Sequence, residues 1–435
     1  MLLPLFTEKD PRDSAEGGLD PLGLYSISDA LAVKLVPGVR ERQTHPRFLT
    51  SMAVSLAVCE GLEDTVASDG VSTPRLVFEW YLVEGMVRAA GSRAEMTGVP
   101  GSLKARKAKE DGVPLSAKRY LKTPGVFGFH GIYRLLARSL GVEQEERLGE
   151  AGFELLRVWE REQGMDGFAS LGSSGPGATM RRLLREAVEA GLDKAATARS
   201  PAWAGWSFFQ THLNIQQAGT QEARFIADQL LGDVTGHRGE LLRFLVSKPG
   251  WKVWSHQADE RTFHDAMCKE AGVELASLLD AIAGYETFAR LCQDAFDDML
   301  VELTRSSTKT SPESLAALPS VKLASQRVPE LFSEVMAKLE LFDQSPRFVQ
   351  SFESLAERCS AIEWVERLAE HHRRVQGSKP PDGKNAWFER FDDGSFIIRP
   401  LYRSDEGGTH DTRYVHAYRS GSLASFAQDL QLTPA

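Results

Sequence analysis

Positively charged side chains are concentrated between Gly101 and Leu140. This stretch holds nine Lys and Arg residues against two acidic residues, in a 435-residue chain whose formal net charge is −9. The cations are Lys104, Arg106, Lys107, Lys109, Lys118, Arg119, Lys122, Arg134 and Arg138. A basic stretch in an acidic protein creates a local field that attracts polyanions, and nucleic-acid phosphates are the usual ligand of such a field. The stretch therefore predicts a phosphate-binding surface.

Two other interpretations of the basic stretch stay open. A run rich in Lys is also typical of a solvated surface loop, and a basic surface can dock an acidic protein instead of a nucleic acid. At helical spacing, Lys118 and Lys122 fall four residues apart, as do Arg134 and Arg138. This spacing places the cations on surfaces and not in a core, which phosphate contact requires.

A second group of cations lies near the C-terminal end of a predicted helix over 348–374. It consists of Arg373, Arg374, Lys379 and Lys384. Cations in the last turn of a helix are favoured by the negative end of its macrodipole, and they can also contact phosphates. Both interpretations stay open, and we include the four residues among the candidate nucleic-acid contacts.

The elements that must position the first group resemble a DNA-reading motif. The segment LSAKRYL predicts one short helix and HGIYRLLARSLG predicts a second, with a Gly-containing turn, TPGVFG, between them. Two short helices joined by such a turn are compatible with a helix-turn-helix or a winged helix. We therefore expect a helix-turn-helix-like or winged-helix-like basic segment.

The rest of the chain predicts a mainly α fold. Apolar residues recur at helical spacing near 24–36, 48–62, 76–90 and 275–303, and again near 328–342 and 348–374. Asp393-Gly394 predicts a hairpin turn, and TRYVHAYR a third strand of a small C-terminal antiparallel sheet. Chain length and a Ser/Thr/Pro-rich stretch over 305–320 suggest three domains, which we place at 1–165, 166–304 and 321–435.

No catalytic, metal-binding or nucleotide-binding motif is visible. The four cysteines are far apart, which argues against a zinc site or a disulfide scaffold. Asp294, Asp297 and Asp298 are interpreted as a solvated helix face, and Trp203, Trp206, Phe208 and Phe209 as core, with base stacking as the alternative. We predict no cofactor, no metal and no catalytic residue, although an active site assembled from distant residues stays possible.

Composition places the protein in an ordinary class. Hydrophobic residues make up 42% and charged residues 26% of the chain, which is typical of a soluble globular protein. The apolar runs are short and interrupted by charges, and the N-terminal residues do not have the pattern of a signal peptide. We expect a cytoplasmic protein that does not contact a membrane.

A short N-terminal run resembles the opening of an uncharacterised bacterial family. The matching residues are Asp20, Leu22, Gly23, Ile27, Asp29, Leu31, Pro37, Gly38, Gln43, Thr44, Arg47 and Phe48. Members of that family are encoded in genomic islands beside helicases and phospholipase-D-like proteins, in antiphage or DNA-modification settings. The resemblance implies a defence context, but it carries over no catalytic residue.

Three functions follow, in order of preference. The first is a non-enzymatic nucleic-acid-binding subunit, with DNA as the expected ligand, that works with other protein subunits and contacts phosphates through residues 101–140. The second is a protein-interaction adaptor that docks an acidic partner. The third is a nuclease with a non-local active site.

Overall fold

The fold was obtained as a computed structural model of the chain. It describes residues 20–92, 94–170, 172, 174–232, 236–257, 259–306, 308–380 and 382–434. Residues 1–22 are rich in Pro, Gly, Asp and Glu and predict an extended arm, which lies almost entirely outside these residues. Within them the chain is mainly helical, with two small two-stranded antiparallel sheets.

The helices of the described chain fall in this order: α1 (Tyr25–Leu35), α2 (Phe48–Val58), α3 (Pro74–Ala89), α4 (Ser102–Glu110), α5 (Pro124–Phe127), α6 (Phe129–Ser139), α7 (Glu150–Glu162), α8 (Pro176–Lys194), α9 (Gly205–His212), α10 (Thr220–Leu231), α11 (Arg238–Val246), α12 (Lys248–Gln257), α13 (Glu260–Cys268), α14 (Val273–Arg305), α15 (Pro312–Ala316), α16 (Pro319–Glu340), α17 (Ser345–Ala356), α18 (Ala361–Gly377) and α19 (Ser420–Asp429). The strands are β1 (Glu143–Gln144), β2 (Arg147–Leu148), β3 (Phe388–Arg390) and β4 (Phe396–Ile398).

Contacts along the chain define two compact units. Unit 1 comprises the chain up to Ala32 together with Gln257–Tyr418, and unit 2 comprises Val33–His256 together with Arg419–Ala435. The three-domain division stays a prediction, because contact density alone does not decide which parts fold independently. No helix of the described segments is long and apolar enough to cross a membrane.

Unit 2 is built around two largely buried helices. Every residue of α2 is buried, and α3 is buried over most of its length. Helix α2 packs against α6, α7 and α8, while α3 packs against α4, α8 and α9. A helix that is buried all round, as α2 is, belongs inside a helical bundle. Helix α3 also carries Glu79 and Glu84, which are buried with hydrogen-bond partners.

Unit 1 is built around α14, whose 33 residues pack along α16 and against α13. The apolar stripe that predicts this helix is its buried face. Elsewhere in the chain, the predicted helices near 24–36, 48–62 and 76–90 are confirmed as α1, α2 and α3. The predicted hairpin is also confirmed, with Phe388 opposite Ile398 and Gly394 at φ +80° in the turn.

Two predictions about unit 1 were wrong. Thr412–Arg419 is not a third strand, because side chains of α13 and α14 satisfy its backbone: Glu286 accepts from the amides of Val415 and His416, and Glu260 from that of Tyr418. The single helix predicted over 348–374 is two, because Ser360 forms a capping box with Glu363 and starts α18 anew.

The predicted solvated face of α14 was also wrong. Asp294 is buried, and it accepts from the backbone amide of Thr409. Asp298 accepts from the amide of Gly408 and from the Ser320 hydroxyl. Burial raises the pKa of Asp297 to about 6. Asp294 and Asp298 therefore hold the segment after the hairpin, and none of the three carboxylates simply faces water.

The segment expected to resemble a helix-turn-helix differs from that expectation in its first half. LSAKRYL forms only a 3-10 turn at Ala117–Arg119, and the four-residue helix α5 lies where a turn was expected. The second predicted helix is present as α6, whose apolar side is buried. Ser116 pairs with Ala196 through an isolated β-bridge, which keeps residues 115–116 extended and prevents a longer helix there.

Candidate nucleic-acid interface

Helix α4 presents two lysines to solvent because its small residues face the core. Ala105 and Ala108, three residues apart, are buried on the side that packs against α3. Lys104 and Lys107, also three apart, lie on the exposed side, and neither makes an ion pair with a residue that the structure describes. The side of α4 turned away from the core is therefore positively charged.

The other two cations of α4 bend back onto the backbone of unit 2. Lys109 Nζ donates to the carbonyl of Val87 at 3.2 Å, and Arg106 Nη2 donates to the carbonyl of Ser92 at 3.1 Å. A carbonyl partner orients a cation without neutralising it. Both residues therefore still add to the positive field beside Lys104 and Lys107.

A third and fourth free cation lie on the 3-10 turn after α4. Lys118 and Arg119 are exposed, and within the described part of the chain neither has an ion-pair partner. Tyr120 fixes this turn against the start of α4, because its hydroxyl donates to Glu79 Oε1 at 2.8 Å and to the carbonyl of Pro100 at 3.3 Å. Lys118 and Arg119 thus lie next to the N-terminal end of α4. We call Lys104, Lys107, Lys118 and Arg119 the basic face.

Arg134 and Arg138 of α6 lie in a different environment. Their guanidinium groups and that of Arg75 surround the buried carboxylate of Glu143, at 3.2 Å, 3.2 Å and 3.6 Å. Arg134 and Arg75 also pair with Glu146, and despite partial burial these arginines lower the pKa of that carboxyl group. The tight turn between β1 and β2 brings both glutamates to α6. The charges of Arg134 and Arg138 are largely balanced within unit 2.

The second candidate patch belongs to unit 1, and most of its members have partners in that unit. Arg373 pairs with Glu370 at 2.5 Å, and Arg374 donates to the carbonyl of Ser351 at 2.9 Å. Lys379 donates to the carbonyl of Asp20 at 2.9 Å, and partial burial lowers its pKa. Lys384 is half-buried. These residues stay predicted phosphate contacts, but the geometry favours the basic face of unit 2.

The two histidines beside that patch are core residues and do not belong to a charged surface. His371 and His372 are buried, and their rings contact the carbonyls of Leu22 and Pro21 at 2.7 Å and 2.8 Å. Burial lowers the pKa of His372 to about 3. His372 is therefore neutral, and it accepts a hydrogen bond from the amide of Trp387.

Three of the four aromatic residues between 203 and 209 are core, as the preferred interpretation predicted, whereas Trp203 is only half-buried. Trp206, Phe208 and Phe209 are buried, and Phe209 packs edge-to-face on Phe78 of α3. The Trp206 indole donates to the carbonyl of Ser200 at 2.9 Å, so its polar atom is also satisfied. These rings fill the interior of unit 2 and do not offer a stacking surface.

One hydrogen-bonded chain has the form of a catalytic triad. Ser55 Oγ lies 2.9 Å from His130 Nε2, and His130 Nδ1 lies 2.9 Å from Glu79 Oε2. Burial lowers the pKa of His130 in spite of the carboxylate, which leaves a neutral ring that donates to Glu79 and accepts from Ser55. However, Ser55 is fully buried in α2, so its hydroxyl cannot reach a substrate. The chain is a satisfied polar network.

Among the described residues, no group of three or more His, Cys, Asp or Glu side chains could hold a metal ion. Such a carboxylate cluster is what a metal-dependent nuclease would use. The nuclease hypothesis stays a prediction, with no residue assigned to it.

Two residues next to the basic face escaped the sequence analysis. Arg42 places its guanidinium carbon 4.7 Å from the ring centroid of Phe127, and Phe127 is 42% exposed. Together with Lys122 they line a cavity of about 480 Å³ at the start of α4. Arg42 lies far from the basic stretch in sequence, and a single Phe in a Gly-containing turn gives no signal of exposure.

Three polar residues of the run that resembles the uncharacterised family have structural partners. Asp20 accepts from the amides of Leu24 and Tyr25 at the start of α1, and buried Gln43 donates to the carbonyl of Ile132 at 2.8 Å. Arg47 pairs with Glu222 inside unit 2. No residue of this run belongs to the basic face.

Comparison of the chain with protein-family models, with curated proteins and with solved structures finds no match.

Proposed function

We propose that this protein binds nucleic acid, with DNA as the expected ligand, through phosphate contacts made by the basic face of unit 2. The observation that supports this proposal is that four exposed cations have no acidic partner among the described residues. These cations come from two segments that Tyr120 fixes together. Phosphate contacts position a protein along nucleic acid without reading its sequence. The role is therefore that of a non-enzymatic binding subunit, and the resemblance of the N-terminal run suggests an antiviral system.

Helix stability does not account for the basic face. Lys104 lies in the first turn of α4, where the positive end of the helix dipole disfavours a cation, and no acidic residue lies in that turn. Exposed ion pairs do not account for it either, because none of the four side chains pairs with a carboxylate of the described residues. An anion from outside the chain would compensate these charges.

The test is fluorescence anisotropy of labelled duplex and single-stranded DNA at several salt concentrations. The variant carries Lys104→Ala, Lys107→Ala, Lys118→Ala and Arg119→Ala together. The matched control removes four exposed cations from other helices of unit 2, Arg182, Lys194, Arg224 and Lys248, and changes the net charge equally. The log–log slope of affinity against salt should fall in magnitude by about 0.7 to 0.9 for each lost phosphate contact.

The control variant should bind nearly as tightly as the original protein. If both variants lost affinity equally, only net charge would matter and the basic face would not be the site. If neither DNA bound the original protein at low salt, the proposal would be wrong, and docking of an acidic protein would be the next hypothesis. Loss of plasmid integrity in the presence of Mg²⁺ would instead support the nuclease.

A further inference from the structure

We infer that the cavity beside Phe127 holds an unpaired base of single-stranded nucleic acid; this inference rests on the proposed function. The cavity is shallow and open to solvent, with a volume of about 480 Å³, and its lining includes Arg42, Met96, Val99, Leu121, Lys122 and Phe127. Apolar walls with two cations match the chemistry of a nucleotide, whose flat base is weakly polar and whose phosphate is anionic. We call these six residues the Phe127 cavity.

The exposure of Phe127 is the first step of the argument. This ring lies at the end of the short helix α5 and is 42% exposed, next to Val126 at 55%. Its neighbour in sequence, Phe129, is fully buried and stacks on Phe48 at 5.3 Å between ring centroids. Two nearby phenylalanines therefore have opposite roles: Phe129 builds the core, and Phe127 faces outward into a cavity.

Arg42 holds the exposed ring ready for stacking. Its guanidinium carbon lies 4.7 Å from the centroid of Phe127, which places one cation against the ring. Base–aromatic stacking tolerates any sequence, because every base has a π-face, and arginine often adds a cation–π contribution. The pair Arg42 and Phe127 thus provides both the stacking surface and part of the charge.

The Phe127 cavity is lined by the same two segments of the chain that carry the basic face. Lys122 follows Arg119 by three residues, and Ser102, which also lines the cavity, precedes Lys104 by two. A strand whose phosphates contact Lys104, Lys107, Lys118 and Arg119 would therefore run close to the residues that line the cavity. A base within a duplex is stacked on its neighbours and paired with the opposite strand, so only an unpaired base can turn into the cavity.

The test compares three ligands of equal length: an oligothymidylate of about 16 nucleotides, an abasic oligomer with the same phosphates, and a duplex. The original protein should bind the oligothymidylate more tightly than the abasic oligomer. Phe127→Leu, which keeps an apolar side chain but removes the ring, should weaken oligothymidylate binding by roughly 5- to 150-fold and leave abasic binding unchanged. Phe127→Trp should restore the preference.

Leu103→Ala is the matched control, because Leu103 is an apolar side chain of α4 that is 71% exposed and does not line the cavity. It should change none of the three affinities. Equal affinity of the original protein for the oligothymidylate and the abasic oligomer would overturn the inference and leave the phosphate proposal standing. Failure of all three ligands to bind would overturn both, and would point to an acidic protein as the occupant.

Discussion

At the scale of single residues, Arg47 shows how unit 2 compensates a buried charge. Its Nε and Nη2 donate to the two carboxylate oxygens of Glu222 at 2.9 Å and 3.0 Å, and Thr50 donates to the same carboxylate at 2.6 Å. The remaining guanidinium hydrogens meet the carbonyls of His212 and Asn214. Both charged groups are almost completely buried, so neither can turn to water if the other is lost.

Arg47→Leu should therefore lower the free energy of unfolding by about 3–5 kcal/mol, because Glu222 would stay buried without its partner. Urea unfolding of the variant and the original protein measures this difference. The control is Arg157→Ala, which breaks the exposed pair with Glu154 and should change stability by less than about 1 kcal/mol. Similar losses in the two variants would contradict the assignment of a buried ion pair.

This residue also shows what sequence can and cannot predict. Gln43, Thr44 and Arg47 are polar side chains in a short run, and polar residues in such a run usually suggest a surface site. Gln43 and Arg47 are buried here, and their partners lie far along the chain: Ile132 is 89 residues from Gln43, and Glu222 is 175 residues from Arg47. Apolar periodicity reports the faces of local helices, and it carries no information on such distant pairs.

At the scale of elements, the turn between α3 and α4 determines where the basic face lies. Gly101 caps α4 with φ +77°, and a Cβ placed on it would lie 2.3 Å from the ring of Tyr120. The absence of a side chain thus lets Tyr120 pack against the start of α4 and reach Glu79. Burial and the neighbouring carboxylate raise the pKa of Tyr120 well above its usual value, so its hydroxyl stays a donor.

Gly101→Ala should destabilise unit 2 more than Gly112→Ala does. Both glycines have positive φ, so both substitutions carry the cost of a left-handed alanine, about 1–2 kcal/mol. Only Gly101 faces Tyr120, whereas nothing lies within 4 Å of a Cβ at Gly112. Overpacking should add about 1–3 kcal/mol for Gly101→Ala, as measured by urea unfolding. Equal losses would show that Tyr120 moves aside freely.

Helix α14 holds the segment before α19 through one buried carboxylate. Glu286 accepts from the amides of Val415 and His416, from the His416 ring and from the Tyr418 hydroxyl. Glu286→Leu should accelerate hydrogen exchange at the amides of Val415 and His416, because both would lose their acceptor. Asp280→Asn, an exposed substitution on the same helix, should leave these amides protected. Unchanged exchange in Glu286→Leu would mean that packing alone holds the segment.

The candidate interface was predictable in part at this scale. The basic composition of residues 101–140 correctly predicted exposed cations at Lys104, Lys107, Lys118 and Arg119. It did not distinguish them from Arg134 and Arg138, because the turn between β1 and β2 that brings Glu143 and Glu146 to α6 gives only a weak signal in two-residue strands. Long apolar stripes such as that of α14 were predictable because helical periodicity is local.

At the scale of the whole molecule, acid should weaken unit 1 through its buried histidines. Burial lowers the pKa of His264 and that of His372 to about 3, and it also lowers the pKa of His371. In an unfolded chain a histidine has a pKa of about 6.5. Below about pH 6.5 the unfolded state therefore binds protons that the folded state does not bind, and the free energy of unfolding falls as the pH decreases.

His264 and His372 should each remove up to about 1.4 kcal/mol of stability per pH unit between about pH 6.5 and pH 5, above the range where most carboxylates titrate. Urea unfolding of His264→Phe across this window should show a pH slope that is shallower by that amount. A parallel pH slope in His264→Phe and the original protein would show that the buried ring is protonated in the folded state.

His45 of unit 2 gives the opposite sign: burial alone would lower its pKa, but hydrogen bonds to Asp429 and the Thr97 carbonyl raise it. The stability that His45 contributes is fully present below about pH 6.5, and it is lost as the pH rises through the pKa of His45 in the folded protein. The stability difference between the original protein and His45→Gln should thus shrink at alkaline pH.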